Sequence, residues 1–293
     1  MRVPLPPVRL PEETAAVARE YAAGVRTPVE ARDAATVILL RPGPGGPEVY
    51  LLRRRRSMAF AGGMAVFPGG GVDPRDSELP DAAWAGPLPA EWAGQLGCAE
   101  AEARALVCAA VRETFEESGV LLAGAAAGEV VADVSGADWE ADRGALESRD
   151  LSLTDLLERR GLVLRTDLLR AWAAWTTPVF EPRRYRTWFF VASLPEGQVT
   201  RDVSSESESV AWLPLGEALA QADRGELGLM PPTYLNILEI SQYADLAAVR
   251  DAAAGRRIEM FTPEIEPVDG GWALSMLAHH RELVATRAEA RHR

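Results

Sequence analysis

Lysine is missing from this sequence of 293 residues, so all 31 of its basic residues are arginine. Cysteine is scarce as well: Cys98 and Cys108 are too few for a disulfide scaffold, and they do not form a CxxC pair of the kind that binds zinc. No apolar run approaches the roughly 18 residues that a membrane helix needs, and the first residues lack the apolar core of a secretory signal. We therefore expect two unpaired thiols, no membrane association and a cytoplasmic location.

Positive charge is in short supply overall, because 43 acidic residues outnumber the 31 arginines and leave a formal net charge of -12. This balance argues against nucleic-acid and membrane-surface binding, which need extended basic surfaces. A phosphorylated small molecule is still allowed, since a few arginines suffice to line one cleft. The densest basic run is 53–56, for which a solvated patch and a substrate-binding role are both open. His279, His280 and His292 show no ligand spacing to other donors, and we assign them no role.

The hydrophobic content of 47% is sufficient for a substantial core. Its periodicity predicts strands at 36–40, 48–53, 63–67, 168–176, 186–193 and 210–213, and helices at 12–23, 100–118, 153–160, 217–222 and over most of 231–254. A turn at 41–47 separates the first two strands, and the glycines of 68–71 end the third. Because strands and helices interleave without a regular βαβ repeat, we expect an α/β or α+β fold with a mixed sheet.

Composition divides the chain into three parts. Residues 1–33 form an N-terminal extension, 34–225 form the main domain, and 226–293 form a mostly helical C-terminal extension. Within the main domain, residues from 72 to about 99 carry many prolines together with Trp84 and Trp92. This composition indicates an irregular insertion with a short helix, in which we expect the tryptophans to pack a small satellite core.

The segment 112–120, RETFEESGV, carries the most specific chemical pattern. Glu113, Glu116 and Glu117 are three and four residues apart on a predicted helix, so their carboxylates share one face and repel one another. A bound divalent cation relieves this repulsion, and Mg²⁺ and Mn²⁺ prefer hard oxygen ligands. The alternative is a solvated acidic helix face. Gly119 stands where a helix C-cap is expected.

Two neighbouring features favour the metal site. Arg112 directly precedes the three glutamates and is placed to orient them through charge-assisted hydrogen bonds. Upstream, the segment 67–71, FPGGG, lies at a strand end. Glycine lets a backbone approach a phosphate or a metal closely, and we therefore assign Gly70 to the substrate-binding side of the site.

These residues resemble the signature of the Nudix hydrolase family. That signature runs Gly, five residues, Glu, seven residues, Arg-Glu, an aliphatic residue, any residue, Glu-Glu, any residue, Gly, and an aliphatic residue; its second half matches Arg112, Glu113, Glu116, Glu117, Gly119 and Val120. Thr114 departs from the aliphatic position. Counting from Gly70 puts the first Glu at Asp76, so an insertion of roughly 28 residues splits the motif, and we expect Glu100 or Glu102 to supply the missing carboxylate.

The resemblance implies a Nudix α/β/α sandwich that uses Mg²⁺ or Mn²⁺ to hydrolyse a diphosphate by attack of water on phosphorus. It implies that Glu113, Glu116 and Glu117 hold the metal and that the carbonyl of Gly69 is a further ligand. It also suggests Glu206 as the general base, with Glu208 as its rival.

A split box of this kind is similar to the coenzyme A diphosphatase-like subgroup of the family, the Nudix hydrolase 19-like proteins. The similarity covers about residues 35–240 and includes the segments 51–57, 175–178 and 183–190. It implies coenzyme A or acyl-coenzyme A as substrate. Arg55, Arg183 and Arg184 are candidates for binding the substrate phosphates, with ordinary surface arginines as the alternative.

Three other interpretations stay open. One is that the substrate is ADP-ribose or a dinucleotide. Another is that the chain is a nucleotide-binding regulatory Nudix module without catalysis. Such modules usually lose box carboxylates, and this sequence keeps all three. A homodimer built on the insertion and the C-terminal extension is compatible with either kind of function.

Overall fold

A computed structural model of the protein describes residues 6–58 and 61–291. Within them the helices are α1 (Glu12–Ala22), α2 (Pro89–Leu96), α3 (Glu100–Ser118), α4 (Ala137–Glu147), α5 (Leu153–Arg160), α6 (Leu215–Arg224), α7 (Pro231–Ile240), α8 (Leu246–Ala253) and α9 (Ala278–Arg291). The strands are β1 (Arg9–Leu10), β2 (Arg32–Gly43), β3 (Gly46–Arg54), β4 (Ala65–Val66), β5 (Gly69–Gly71), β6 (Trp84–Ala85), β7 (Ala123–Gly124), β8 (Val163–Arg165), β9 (Leu169–Thr176), β10 (Tyr185–Ser193), β11 (Ser207–Pro214), β12 (Met260–Phe261), β13 (Ile265–Val268) and β14 (Gly271–Leu274).

The central sheet has the strand order β11-β3-β2-β10-β9-β12, with β4 beside β3 and β5 beside β2. β10 runs parallel to β2 and β12 parallel to β9, while the other pairs are antiparallel. The turn predicted at 41–47 is the tight connection between β2 and β3, which pairs Gly43 with Gly46. The sheet is therefore mixed, as the sequence predicts.

Alternate residues of β2 supply the two faces of this sheet. Val37 and Leu39 are buried in one hydrophobic cluster together with α3, whereas Ile38 and Leu40 are buried in a second cluster with α6 and α7. A side-chain period of two produces this division in any strand that is covered on both faces. The result is a three-layered α/β/α arrangement, which confirms the predicted fold class.

Helix α3 has the predicted bounds, and its end has a clear physical cause. Gly119 takes the left-handed conformation with φ 70° and donates its N–H to the carbonyl of Phe115, an arrangement that glycine adopts without steric cost. Thr114, unusual at an aliphatic position, is fully buried, and its hydroxyl donates to the Ala110 carbonyl at 2.7 Å. Because that hydroxyl is satisfied locally, the side chain packs as a β-branched apolar group does.

The insertion packs on the main core rather than on a core of its own, so the expected satellite core is wrong. Trp92 in α2 is 1% exposed and meets Phe190 of β10 edge-to-face at 5.7 Å between ring centroids. Trp188 of β10 donates its indole N–H to the Leu96 carbonyl at the end of α2, at 3.1 Å. The apolar face of this short helix is long enough to reach the sheet beside α3.

Several elements differ from expectation. The glycines 69–71 do not simply end a strand, because β5 pairs with residues 34–36 of β2. The C-terminal extension has α7, α8 and α9, but it also adds β12 to the edge of the central sheet and pairs β14 with β1 of the N-terminal extension. Helix α4 was not predicted at all. No helix of the described residues has the length and apolar character needed to cross a membrane.

Candidate active site

Strand β5 lies directly against α3 because its residues are glycines. A Cβ atom on Gly70 would stand 2.5 Å from the carboxylate atoms of Glu113. A Cβ atom on Gly69 would stand 2.5 Å from the Thr36 hydroxyl oxygen, and the N–H of Gly69 donates to Glu117 Oε2 at 2.8 Å. The glycine segment thus brings backbone to within hydrogen-bonding distance of the acidic helix face.

Arg112 organises that face. Its Nη1 donates to Glu113 Oε1 at 2.8 Å and to Glu116 Oε1 at 3.0 Å, and its Nη2 donates to the Gly71 carbonyl at 2.9 Å. The Arg112 side chain is only 10% exposed. One guanidinium therefore fixes two carboxylates of α3 and ties them to β5, the arrangement expected of a planar group with several donors.

Asp76 completes the set from the other side of the insertion. Its two carboxylate oxygens accept from Nε and Nη2 of Arg112, each at 3.0 Å, and its side chain is 2% exposed. Asp76 lies in a 3₁₀ turn (Pro74–Ser77), where Oδ2 also accepts from the N–H of Asp73 at 2.8 Å. Aspartate, one methylene shorter than glutamate, reaches Arg112 because the turn is held this close.

The expectation that Glu100 or Glu102 replaces the missing glutamate is wrong. Glu100 is mostly exposed and its nearest cationic partner is Arg104, at 4.0 Å. Glu102 pairs with Arg186 of β10 at 3.1 Å. Both residues lie in the first turn of α3, three helical turns before Arg112, so neither can reach its guanidinium.

Burial makes these carboxylates costly to ionise. It raises the pKa of Glu113 to about 7 and the pKa of Glu117 well above its ordinary value; the charge of Glu113 adds to the second effect. It also raises the pKa values of Glu116 and Asp76, although Arg112 opposes this. One guanidinium, that of Arg112, contacts the carboxylates of Glu113, Glu116 and Asp76. The Glu117 carboxylate accepts a hydrogen bond from the Gly69 N–H. The residues therefore fit a divalent cation, which would compensate the excess of negative charge.

Glu206, the candidate base, lies at the rim. Its Oε2 is 2.9 Å from Nη2 of Arg54, and its side chain is 52% exposed. It is near enough to Glu117 for its charge to contribute to the raised pKa of that carboxyl, after burial and Glu113. Beside it, a cavity of about 490 Å³ is lined by Arg55, Arg56, Ser57, Ser207 and Glu208.

The candidate substrate arginines are not gathered in one place. Arg55 lines the cavity, and its Nε donates to the Ser207 carbonyl at 3.2 Å. Arg184 donates to the carbonyls of Val29 at 2.8 Å and Thr177 at 3.1 Å, so it fastens the N-terminal extension to the start of β10. Arg183 is exposed. Of the three, Arg55 is the one that the fold places beside Glu206.

Arg143 of α4 is a supporting residue that the sequence did not reveal. Its side chain is 6% exposed, and Nη1 donates to the backbone carbonyl of Glu116 at 2.7 Å and to Glu147 at 3.0 Å. Its other partner is Glu140, which also binds Arg201. No local pattern joins residues 143 and 116. For Asp76, by contrast, the count from Gly70 was a usable signal.

Comparisons with known proteins show what the chain as a whole is similar to. The family model described as NUDT19 Nudix domain matches residues 95–240. The chain is 28% identical over 200 residues to the putative nudix hydrolase 7 of Caenorhabditis elegans, covering 67% of this chain and 57% of that protein. It is 26% identical over 281 residues to the acyl-coenzyme A diphosphatase NUDT19 of Gallus gallus, covering 78% and 72%.

A solved structure extends the likeness to three dimensions. The NUDIX hydrolase from Alicyclobacillus acidocaldarius superposes with a TM-score of 0.67 at 26% identity, over 79% of this chain and 99% of that one. In sequence and in fold the chain is thus similar to Nudix hydrolases, and among them it resembles the NUDT19 proteins. It spans 57% of the nematode relative's length.

Proposed function

We propose that this protein is a divalent-metal-dependent diphosphatase that hydrolyses coenzyme A or acyl-coenzyme A. The observation that carries the proposal is a set of four carboxylates with little exposure at β5: those of Asp76, Glu113 and Glu116 contact Arg112, and that of Glu117 accepts from the Gly69 N–H. Asp76 rebuilds the box across an insertion that separates it from α3 in sequence, so the four carboxylates and Arg112 are all retained. Non-catalytic Nudix modules usually lose box carboxylates, and this chain keeps Glu113, Glu116 and Glu117.

Glu113, Glu116 and Glu117 would supply oxygen ligands to Mg²⁺ or Mn²⁺, with the Gly69 carbonyl as a further ligand. A cation bound there would neutralise the diphosphate and acidify the attacking water. Arg112 and the Gly69 N–H hold the glutamate oxygens in place before substrate arrives. Such preorganisation removes the need to reorder the carboxylates during the reaction.

The remaining residues act on the substrate. Glu206, at the rim beside Glu117, takes the proton of the water that attacks phosphorus, and the bridging P–O bond breaks; Glu208, which lines the neighbouring cavity, is its rival for this role. Arg55 binds a phosphate in the cavity, and Gly70 keeps the backbone open to the diphosphate. We retain Arg183 and Arg184 as weaker candidates for phosphate binding, because Arg184 already has two carbonyl partners.

The coenzyme A assignment is supported by relatives named acyl-coenzyme A diphosphatase in Gallus gallus and Homo sapiens. It is tested by a panel of coenzyme A, acetyl-coenzyme A, ADP-ribose and a diadenosine polyphosphate, each with Mg²⁺ and with Mn²⁺. We expect the highest kcat/KM with the two coenzyme A compounds. Preference for ADP-ribose or the dinucleotide would contradict the substrate and leave the diphosphatase chemistry intact.

The catalytic assignment is tested separately with Glu116→Gln and Glu117→Gln. Each should lower kcat by about 100-fold or more, since a metal ligand is lost at the reacting centre. The matched control is Glu100→Gln, on the same helix but exposed at its first turn. Unchanged turnover in both site variants would show that the catalytic assignment is wrong, whereas a wild-type chain that binds these compounds without turning any of them over would be a nucleotide-binding module. Solution mass and the cellular distribution of the full chain test the homodimer and the cytoplasmic location.

A further inference from the structure

A second group of metal-ligating side chains lies on the opposite face of the central sheet from the α3 carboxylates. Glu239 belongs to α7, which packs in the hydrophobic cluster on that face, and His279 and His280 lie in the first turn of α9. Within the described part of the chain, one donor atom from each of these three residues lies within 4.8 Å of the others. The interpretation that no ligand spacing joins His279 and His280 to other donors is therefore wrong; His292 lies outside the described residues.

The donor atoms are already close to the spacing of a coordination shell. Glu239 Oε2 lies 3.4 Å from Nε2 of His280 and 3.8 Å from Nε2 of His279. In a tetrahedral zinc site with ligand bonds of about 2.0–2.1 Å, neighbouring ligand atoms are about 3.3 Å apart. A small movement of the His279 side chain, which is 53% exposed, is enough to reach that spacing.

The surrounding residues hold two of the three donors in place. Arg256 donates to Glu239 Oε1 at 2.8 Å and to the Trp172 carbonyl at 3.0 Å, which leaves Oε2 turned toward the histidines. The His280 ring is 1% exposed and stacks on Trp175 at 5.7 Å. Metal-binding carboxylates are commonly fixed in this manner by a hydrogen bond to their second oxygen.

We propose that Glu239, His279 and His280 bind a transition-metal ion of the zinc class, with the remaining coordination position open to solvent beside His279. Two imidazole nitrogens and one carboxylate oxygen select Zn²⁺, Co²⁺ or Ni²⁺ over Mg²⁺, which takes oxygen ligands. The site would join α7 to α9 and is distinct from the all-oxygen site of α3. The competing interpretation is an Arg256–Glu239–His280 ion-pair network that docks α9 without a metal.

The test is a metal-uptake experiment on the full chain, with Mg²⁺ in large excess to occupy the all-oxygen site. Zn²⁺ stoichiometry is measured by equilibrium dialysis, and Co²⁺ serves as a spectroscopic probe of nitrogen ligation. His279→Ala is the principal variant because the side chain is half exposed and the fold does not depend on it. Glu282→Ala, exposed on the same helix, is the matched control, and Glu116→Gln with Glu117→Gln reports on the other site.

We expect one tightly held Zn²⁺ per chain, with visible Co²⁺ absorption bands. His279→Ala should weaken Zn²⁺ binding by roughly 10-fold or more, as loss of a ligand does. Glu282→Ala and the double glutamine variant should leave it unchanged, and His279→Ala should leave diphosphatase activity unchanged. Zn²⁺ uptake that is insensitive to His279→Ala, or that disappears in the double glutamine variant, would overturn the proposal in favour of the metal-free network.

Discussion

Asp76 and Arg112 are 36 residues apart in sequence, and yet both carboxylate oxygens of Asp76 accept from the Arg112 guanidinium at 3.0 Å. The insertion between them packs on the main core, where Leu79, Trp84 and Trp92 are buried. Asp76 is thus the residue that lets a split sequence motif form one site.

Asp76→Asn should therefore harm both stability and catalysis. Removing one partner of a buried ion pair costs about 3–5 kcal/mol, and loss of a residue that orients ligands lowers activity by about 10–100-fold. Chemical denaturation and kcat/KM with saturating Mg²⁺ measure the two effects. Asp81→Asn, which breaks the mostly exposed pair with Arg104 at 2.6 Å, should change stability by less than about 1 kcal/mol. If the two variants had the same stability and the same kcat/KM, Asp76 would not be part of the active site.

The contrast between α3 and Asp76 shows what sequence reasoning can reach. The bounds of α3 follow from local facts, namely its apolar spacing and the positive φ at Gly119, and they were predicted without error. The role of Asp76 depends on where a 3₁₀ turn is held relative to a helix 36 residues later. The motif count pointed to Asp76, but the expectation of a glutamate directed attention to Glu100 and Glu102.

Longer-range contacts were out of reach for the same reason. Glu239 and His280 are 41 residues apart on separate helices, and Arg143 meets Glu116 only because α4 packs on α3. Such pairs form because whole helices pack together. The residues of a pair are not linked by any regular sequence spacing that would predict the contact. The edge strand β12 was missed because it has only two residues, which are too few to show the alternation of apolar and polar residues that indicates a strand.

Gly70→Ala tests whether β5 must approach α3 as closely as it does. The added Cβ would stand 2.5 Å from the Glu113 carboxylate and would push it from its place beside Arg112. A displacement of this size near a reacting centre lowers kcat by about 100-fold. The control is Gly94→Ala in α2, where the Cβ meets nothing within 4 Å and should stabilise the helix by roughly 0.5–1 kcal/mol. Full activity of Gly70→Ala would show that Glu113 has room to move.

Arg55→Ala tests the cavity as the phosphate-binding region. Loss of one hydrogen bond from a charged donor to a phosphate costs about 1.5–3 kcal/mol, so KM should rise by about 10–100-fold while kcat changes little. Arg250→Ala is the matched control, because Arg250 lines a different groove of about 270 Å³ near α8. Steady-state kinetics at two salt concentrations separate the variants. A fall in kcat alone would assign Arg55 to the chemical step instead.

Arg143→Met should weaken the connection between α4 and the carboxylate helix. The substitution keeps much of the side-chain volume but leaves the Glu116 carbonyl and Glu147 without their 2.7 and 3.0 Å donor. The Glu116 carbonyl loses a buried donor at a cost of about 1–3 kcal/mol, whereas Glu147 is 27% exposed and keeps the Ser205 N–H at 3.0 Å. Arg159→Met, whose side chain is 57% exposed, is the control, and its effect should stay below about 1 kcal/mol. Urea denaturation measures both, and equal midpoints would show that α4 is not coupled to α3.

Glu117→Gln should stabilise the metal-free protein even though it abolishes activity. Burial and the neighbouring charge of Glu113 raise the pKa of Glu117 above its ordinary value. At pH 8 folding therefore either buries the ionised carboxylate or protonates it, and both processes cost free energy. Glutamine avoids that cost and keeps an oxygen for the Gly69 N–H. With EDTA, the variant should melt a few degrees above wild type. With Mg²⁺ at 100 times its Kd, wild type should gain about 2.7 kcal/mol that the variant lacks, so the order reverses. Glu100→Gln should follow wild type under both conditions, whereas a less stable Glu117→Gln protein in EDTA would mean that the fold already compensates the Glu117 charge.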